Sequence, residues 1–311
     1  MFTKNFTGIT KKDVAIAGGK GASLGEMTKA EIAVPPGYVV AAQAFDKFLL
    51  ETDTAQAVQA ELNKLNYKDT NSIDGASVRI RALISGAHFP SELKDEILAE
   101  FKKLKTPLVA VRSSATAEDS SSASWAGELE TYLNTDEKNL IENVKKCWSS
   151  LFTPRAIFYR HEKKLLKAKV SVAVVIQSMI QSVVSGICFT VHPVTKDRNQ
   201  MIIEAGWGLG EAIVSGQITP DSYVIDKRDW SIMDINVSSQ TEMIIKKGKI
   251  TKTVPVSKSN QEKQKLQGKK ILELAKLCGK IEKHYRFPCD IEWAVDRGKI
   301  YITQSRPITT L

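Results

Sequence analysis

The chain has 311 residues, of which 42% are hydrophobic and 25% charged, and a formal net charge of +9. That length suits two compact units, and no apolar run approaches the roughly 20 residues of a membrane helix, so a membrane partner is not expected. The basic balance suits an anionic ligand, but the lysines are spread along solvated stretches such as KKLLKAK (163–169), and neither an RNA-binding signature nor zinc-finger spacing occurs, so a nucleic-acid partner is not expected either.

The opening MFTKNFTGITKKDVAIAGGKG has no h-region and no small-residue cleavage site. No signal peptide is predicted, and a cytoplasmic location is expected. Cys147, Cys188, Cys278 and Cys289 are scattered, with no C-x-x-C pair, and are expected as reduced, buried thiols.

In AGGKGASLGEM (17–27), Gly18, Gly19 and Gly21 surround Lys20, and a helix is predicted over 22–30. Glycine amides, a helix N-terminus and a mobile ammonium together suit an anion. The Walker A sequence is absent, and a Gly-Gly turn with an exposed lysine is also an ordinary surface feature. GYVVAA (37–42) predicts a strand, and residues 43–104 carry a helical pattern, with Pro90 and Ser91 opening its last helix. LVAVR (108–112) predicts a buried strand that places Arg112 at its end, where a guanidinium needs a partner or solvent. The Ser- and Gly-rich run that follows suits either a lid over phosphates or a surface loop. ETYLN resumes as strand, and helices are predicted near 136–150 and 154–166.

After about residue 170 the texture changes to short Val- and Ile-rich runs broken by Gly, Pro and Asp, which predict strands. One of them, VAVVIQSMI (172–180), is interrupted by Gln177. Its amide suits a base or sugar, or a neighbouring backbone group. Glu204 and Glu211 sit among the glycines of IIEAGWGLGEAIVSGQITPDSY (202–223), which holds no true G-x-G-x-x-G. A long helix is predicted over about 260–283, then a closing hairpin, DIEWAVDRGKIYITQSRP (290–307). A three-residue Asp-Arg-Gly loop would place Glu292 opposite Ile302 and on one face with Gln304 and Arg306; a two-residue loop would put Glu292 on the other face. A carboxylate and an amide oxygen suit Mg²⁺, and an arginine fork suits phosphate. A Glu–Arg salt bridge on a wet face accounts for the same residues.

The chain is therefore α+β, helix-rich first and strand-rich second, and two lobes are expected, 1–180 and 181–311, with a site in the crevice between them. The stretches GGKGASLGEM, VRSSATAEDSSSASWAGELETYLN, SLFTPRAIFYR, GLGEAIVSGQITPDSY and DIEWAVDRGKIYITQSRP resemble, in order, the N-terminal nucleotide-binding domain of the phosphoenolpyruvate synthase and pyruvate phosphate dikinase family. Rifampicin phosphotransferases share that domain. The resemblance implies an ATP-grasp-like fold binding ATP and Mg²⁺. It implies phosphate contacts from Lys20, Arg112 and Arg306, a phosphate loop and following strand at Gly127 and Thr131, an adenine or ribose contact at Gln177, and metal ligands at Glu292 and Gln304. It further implies transfer of the β-phosphoryl of ATP to a histidine on a swivelling domain, which passes it to an acceptor such as pyruvate. No phosphohistidine segment occurs in the sequence, so that domain is expected elsewhere, in cis or in trans. A carboxylate–amine ligase of the same architecture, and a nucleotide-sensing module without catalysis, are the competing readings.

Overall fold

The computed structural model describes residues 1–116, 130–163, 165, 171–248 and 250–309. It resolves into two units, one of Met1–Lys29 with Pro36–Met179, the other of Ala30–Pro35 with Ile180–Leu311. Among the described residues no helix is long and apolar enough to cross a membrane. The four cysteines are buried and none is in a disulfide.

The first unit runs β1 (Thr3–Asn5), α1 (Val14–Lys29), β2 (Gly37–Val40), α2 (Ala42–Glu51), α3 (Thr54–Asn63), α4 (Thr70–Gly86), α5 (Ser91–Lys103), β3 (Val109–Ala115), β4 (Thr131–Thr135), α6 (Leu140–Ser149), α7 (Pro154–Glu162) and β5 (Val172–Ser178). Its strands pair in the order β1-β2-β5-β3-β4, all antiparallel. Alternation along the strands sends Tyr38, Val40, Val109, Val111, Val174 and Ile176 into a core built with Phe45, Phe48, Ile80, Ile97 and Trp148 from the helices. Local signals set the helix ends. Asp69 accepts the Asn71 N–H to start α4, and Thr153 accepts the Ala156 N–H to start α7, with Pro154 as its first residue.

The second unit runs β6 (Val184–Phe189), β7 (Gln200–Trp207), α8 (Glu211–Val214), β8 (Asp221–Asp226), β9 (Ser231–Asn236), β10 (Glu242–Lys247), β11 (Ile250–Pro255), α9 (Lys258–Gln261), α10 (Gly268–Tyr285), β12 (Cys289–Asp296) and β13 (Lys299–Pro307). Six strands pair in the order β13-β12-β6-β7-β8-β9, while β10 and β11 form a separate hairpin. One face of the large sheet is a core of Cys188, Ile203, Tyr223, Ile291 and Trp293, joined by Ile271, Leu274, Cys278 and Ile281 of the amphipathic α10. The other face carries the polar residues of the hairpin.

The helix predicted from about residue 260 begins eight residues later. The Lys265 and Leu266 amides donate to Asp221 Oδ2 and to the Tyr223 hydroxyl, so they are committed to side chains of β8 before the helix opens. The strand β11 was not predicted; its residues are largely exposed, and a solvated hairpin leaves no clean alternation of apolar residues to read.

Candidate functional site

In the first unit, Arg112 and Gln177 lie on adjacent strands and on one face. Gln177 is the register partner of Ala110, and Arg112 of Val175. The Arg112 Nη1 donates to Gln177 Oε1 at 3.2 Å, and the two residues are only 7% and 2% exposed. Among the described residues, this leaves the Gln177 Nε2 buried with no hydrogen-bond partner. Such a donor costs about 1–3 kcal/mol unless something accepts from it. Thr131 pairs with Arg112 from β4 and is exposed, while Gly127 lies outside the described residues.

The helix α1 covers this same face, and its glycines make the fit. A Cβ on Gly21 would stand 3.0 Å from Val39 Cγ2, and one on Gly18 would stand 2.2 Å from Ser114 Oγ. Gly18 also has φ +67°, breaking the helical path, so α1 begins at Val14 and kinks rather than starting near residue 22. The Ser114 hydroxyl donates to the Ala17 carbonyl and accepts from the Gly21 N–H. Gly18 thus serves close packing on β3 and Gly21 close packing on β2, where the sequence suggested amides for an anion. Lys20, between them, is half-buried. Gly18→Ala is expected to destabilise the protein by at least about 2 kcal/mol, through the left-handed backbone and the Ser114 clash together. Urea denaturation checks it; a wild-type midpoint contradicts the packing role.

In the second unit the hairpin turns on two residues. Asp296 pairs with Lys299, and Arg297 and Gly298 both take positive φ, 48° and 77°. The three-residue loop is therefore incorrect, and by simple alternation Glu292 and Gln304 would part. A bulge reunites them. Trp293 pairs with Ile302 but Glu292 with Gln304, so Thr303 is the extra residue, and the chain changes face there. Asp290 pairs with Arg306, two residues further along. Asp290, Glu292, Gln304 and Arg306 consequently share one face.

Arg306 Nε and Nη2 both donate to Asp290 Oδ2, at 2.9 and 2.7 Å. The salt bridge the sequence suggested thus exists, but with Asp290 in place of Glu292. Burial raises the Asp290 pKa; the Arg306 guanidinium pulls it down and Glu292 pushes it up again. Glu204, on β7, lies on the same face and is also raised, by burial and then by Asp290. Three carboxylates and the Arg306 guanidinium thus share this sheet face, with only Asp290 seen bonded to the guanidinium. Among the described residues no three Asp, Glu, His or Cys side chains converge to hold a metal by themselves. A carboxylate and an amide oxygen, the groups that Glu292 and Gln304 carry, are of the kind that Mg²⁺ takes beside water and phosphate.

Residues 14–311 match the family described as the pyruvate phosphate dikinase, AMP/ATP-binding domain. The chain belongs to this family. It is 45% identical, over 97% of its length, to the probable phosphoenolpyruvate synthase of Methanocaldococcus jannaschii, of which it covers 26%. To the phosphoenolpyruvate synthase of Pyrococcus furiosus it is 40% identical over its whole length, covering 44% of that protein. To the rifampicin phosphotransferase of Bacillus subtilis it is 38% identical over 97% of its length, covering 35%. The chain thus spans between about a quarter and a half of these relatives.

Within this AMP/ATP-binding domain, sequence reasoning missed Asp290. It stands at the head of the quoted hairpin, two residues before Glu292, and the period of a strand would have placed both on one face. Glu204 was noted beside its glycines without a role; only the strand order brings it level with Glu292.

Proposed function

We propose that this AMP/ATP-binding domain is the phosphoryl donor of a phosphoenolpyruvate synthase-like enzyme, passing the β-phosphoryl of ATP to a histidine of a separate domain. The observation that carries the reading is the Glu292–Gln304 pair with Arg306 beside it on one face. It offers oxygen ligands for Mg²⁺ and a guanidinium for phosphate, the groups that phosphoryl transfer needs. Lys20, Arg112 and Thr131, with the phosphate loop at Gly127, are the proposed contacts of the first lobe (1–180), and the hairpin those of the second (181–311). The buried Gln177 Nε2 supports a nucleotide contact there, on the base or sugar. When bound, Mg²⁺ would neutralise phosphate charge; Arg306 would orient the terminal phosphates, and Arg112 and Lys20 would balance the rest.

In the proposed reaction a histidine nitrogen bonds to the β-phosphorus as the bridge to the α-phosphate breaks, releasing AMP. Water then cleaves the β–γ bridge and releases phosphate. The match to the Bacillus subtilis rifampicin phosphotransferase supports a second reading that differs in the final acceptor, an antibiotic in place of pyruvate. The test is ATP labelled at the β-phosphorus, incubated with Mg²⁺, this chain and a phosphohistidine domain in trans. AMP and labelled phosphohistidine are expected; ADP formed with an amine acceptor would assign a ligase instead.

A further inference from the structure

The helix α7 carries a charge on the face that should be apolar. Arg160 follows Ala156 by four residues and Ile157 by three, so the three share one side of the helix, and Ala156 and Ile157 are core residues. The stretch SLFTPRAIFYR, which ends on this arginine, has no part in the nucleotide contacts argued above. Arg160 is 9% exposed, and its Nε is buried without a hydrogen-bond partner. Among the described residues, no carboxylate, hydroxyl or carbonyl bonds to its guanidinium. Burial lowers its pKa, and the ionisable neighbour that acts on it, Tyr67, is a phenol whose own pKa burial raises, so it brings no negative charge at neutral pH. The next residue, His161, stacks its ring on Tyr67 with centroids 4.1 Å apart. Its Nδ1 is also buried without a hydrogen-bond partner, 3.6 Å from Glu162 Oε1. A charge taken out of water and left unpaired is strongly unfavourable. Arg160 stands in the last turn of α7, where the helix dipole favours a cation, but that attraction is weaker than the desolvation it would have to offset.

We propose that Arg160 is the centre of a binding site for a small oxyanion, a phosphate or a carboxylate, separate from the nucleotide contacts and independent of that reading. The guanidinium fork matches two oxygens of such a group and supplies charge-assisted hydrogen bonds to both. The small part of the residue left open to solvent suits an ion rather than a peptide or a nucleic acid, and the Tyr67–His161 stack stands beside it. A site of this kind weakens the protein while it is empty and strengthens it when filled, which a purely structural arginine would not do.

The test follows the thermal unfolding midpoint of the full chain as inorganic phosphate, or separately acetate, replaces chloride at fixed ionic strength. Wild type, Arg160→Met, Arg160→Lys and Arg306→Ala are compared without nucleotide. A saturable rise of the midpoint is expected in wild type and in Arg306→Ala. Its apparent affinity should fall at least about tenfold in Arg160→Met, about 1.4 kcal/mol, and less in Arg160→Lys, which keeps the charge and loses the fork. General stabilisation by a well-hydrated anion would be equal in all four proteins and so cancels. In chloride alone, Arg160→Met should melt no lower than wild type, because it removes an unpaired charge from the interior. A response to phosphate alone makes the ligand a phosphate; a response to acetate as well extends it to carboxylates. The proposal is overturned if neither anion acts, or if Arg160→Met responds as wild type does. It is also overturned if the response disappears in Arg306→Ala and persists in Arg160→Met, which would assign the anion to the hairpin. An Arg160→Met protein that melts well below wild type in chloride, or does not fold, overturns it too, since the guanidinium would then be structural. None of these outcomes bears on ATP binding.

Discussion

Lys265→Met is expected to destabilise the second unit by about 3–5 kcal/mol, the cost of breaking a buried ion pair from one side. The Lys265 Nζ donates to Asp221 Oδ1 at 2.8 Å, and both side chains are fully excluded from solvent. Asp221 also accepts from the Ser238 N–H on Oδ1, and from the Tyr223 hydroxyl and the Lys265 N–H on Oδ2. Lys265 Nζ donates a further bond to the Ser238 carbonyl. Every oxygen of the carboxylate is therefore engaged, and removing the ammonium leaves a negative charge in the interior with only neutral donors. This network ties β8 to the segment before α10, the helix that backs the sheet behind the hairpin. A combined Asp221→Asn and Lys265→Met protein should recover part of the loss, since an amide oxygen still accepts from the backbone and carries no charge. Urea denaturation of the three variants measures this. A single Lys265→Met within about 1 kcal/mol of wild type would show that the charge is relieved some other way.

Much of the fold is legible in the sequence because it rests on period and on local chemistry. The helices between residues 43 and 104, the Val- and Ile-rich strands and the closing hairpin all carry their patterns openly. What was hidden depends on residues that are distant in the chain or on backbone angles. Arg297 adopts φ 48°, which arginine seldom does, so Asp-Arg-Gly reads as a longer loop than it makes. The error cancels only because Thr303 bulges, and no residue type announces a bulge at that position. The glycines of AGGKG illustrate the opposite difficulty. An anion cradle and a close helix–strand contact both ask for glycine, and only the approach of Ser114 reveals the second demand. The motifs of the family point to candidate site residues in the chain, while the partner of Arg306 and the row containing Glu204 require the strand register.

Arg306→Ala is expected to slow phosphoryl transfer by about 10²–10³-fold, near 3–4 kcal/mol, the usual cost of deleting one aligned donor to developing charge. The side chain is suited to that work because it is already held. Asp290 takes Nε and Nη2 on a single oxygen, which fixes the plane of the guanidinium. The charge and the orientation are separable. Arg306→Lys keeps the first and loses the fork, so it should retain ATP affinity better than transfer rate. A complication arises from Asp290, whose pKa is already raised by burial and is pulled down by Arg306. Without the guanidinium its folded pKa rises further above the unfolded value. Arg306→Ala should therefore be least stable at the higher pH, where the carboxyl is ionised, and should regain stability as the pH falls and the group takes up its proton. Asp290→Asn added to Arg306→Ala removes that penalty at neutral pH. If the double variant refolds to near wild-type stability and transfer stays slow, Arg306 acts on phosphate. If transfer recovers together with stability, the arginine serves only to neutralise Asp290, and the phosphate clamp must be sought on the first unit, at Lys20 and Arg112.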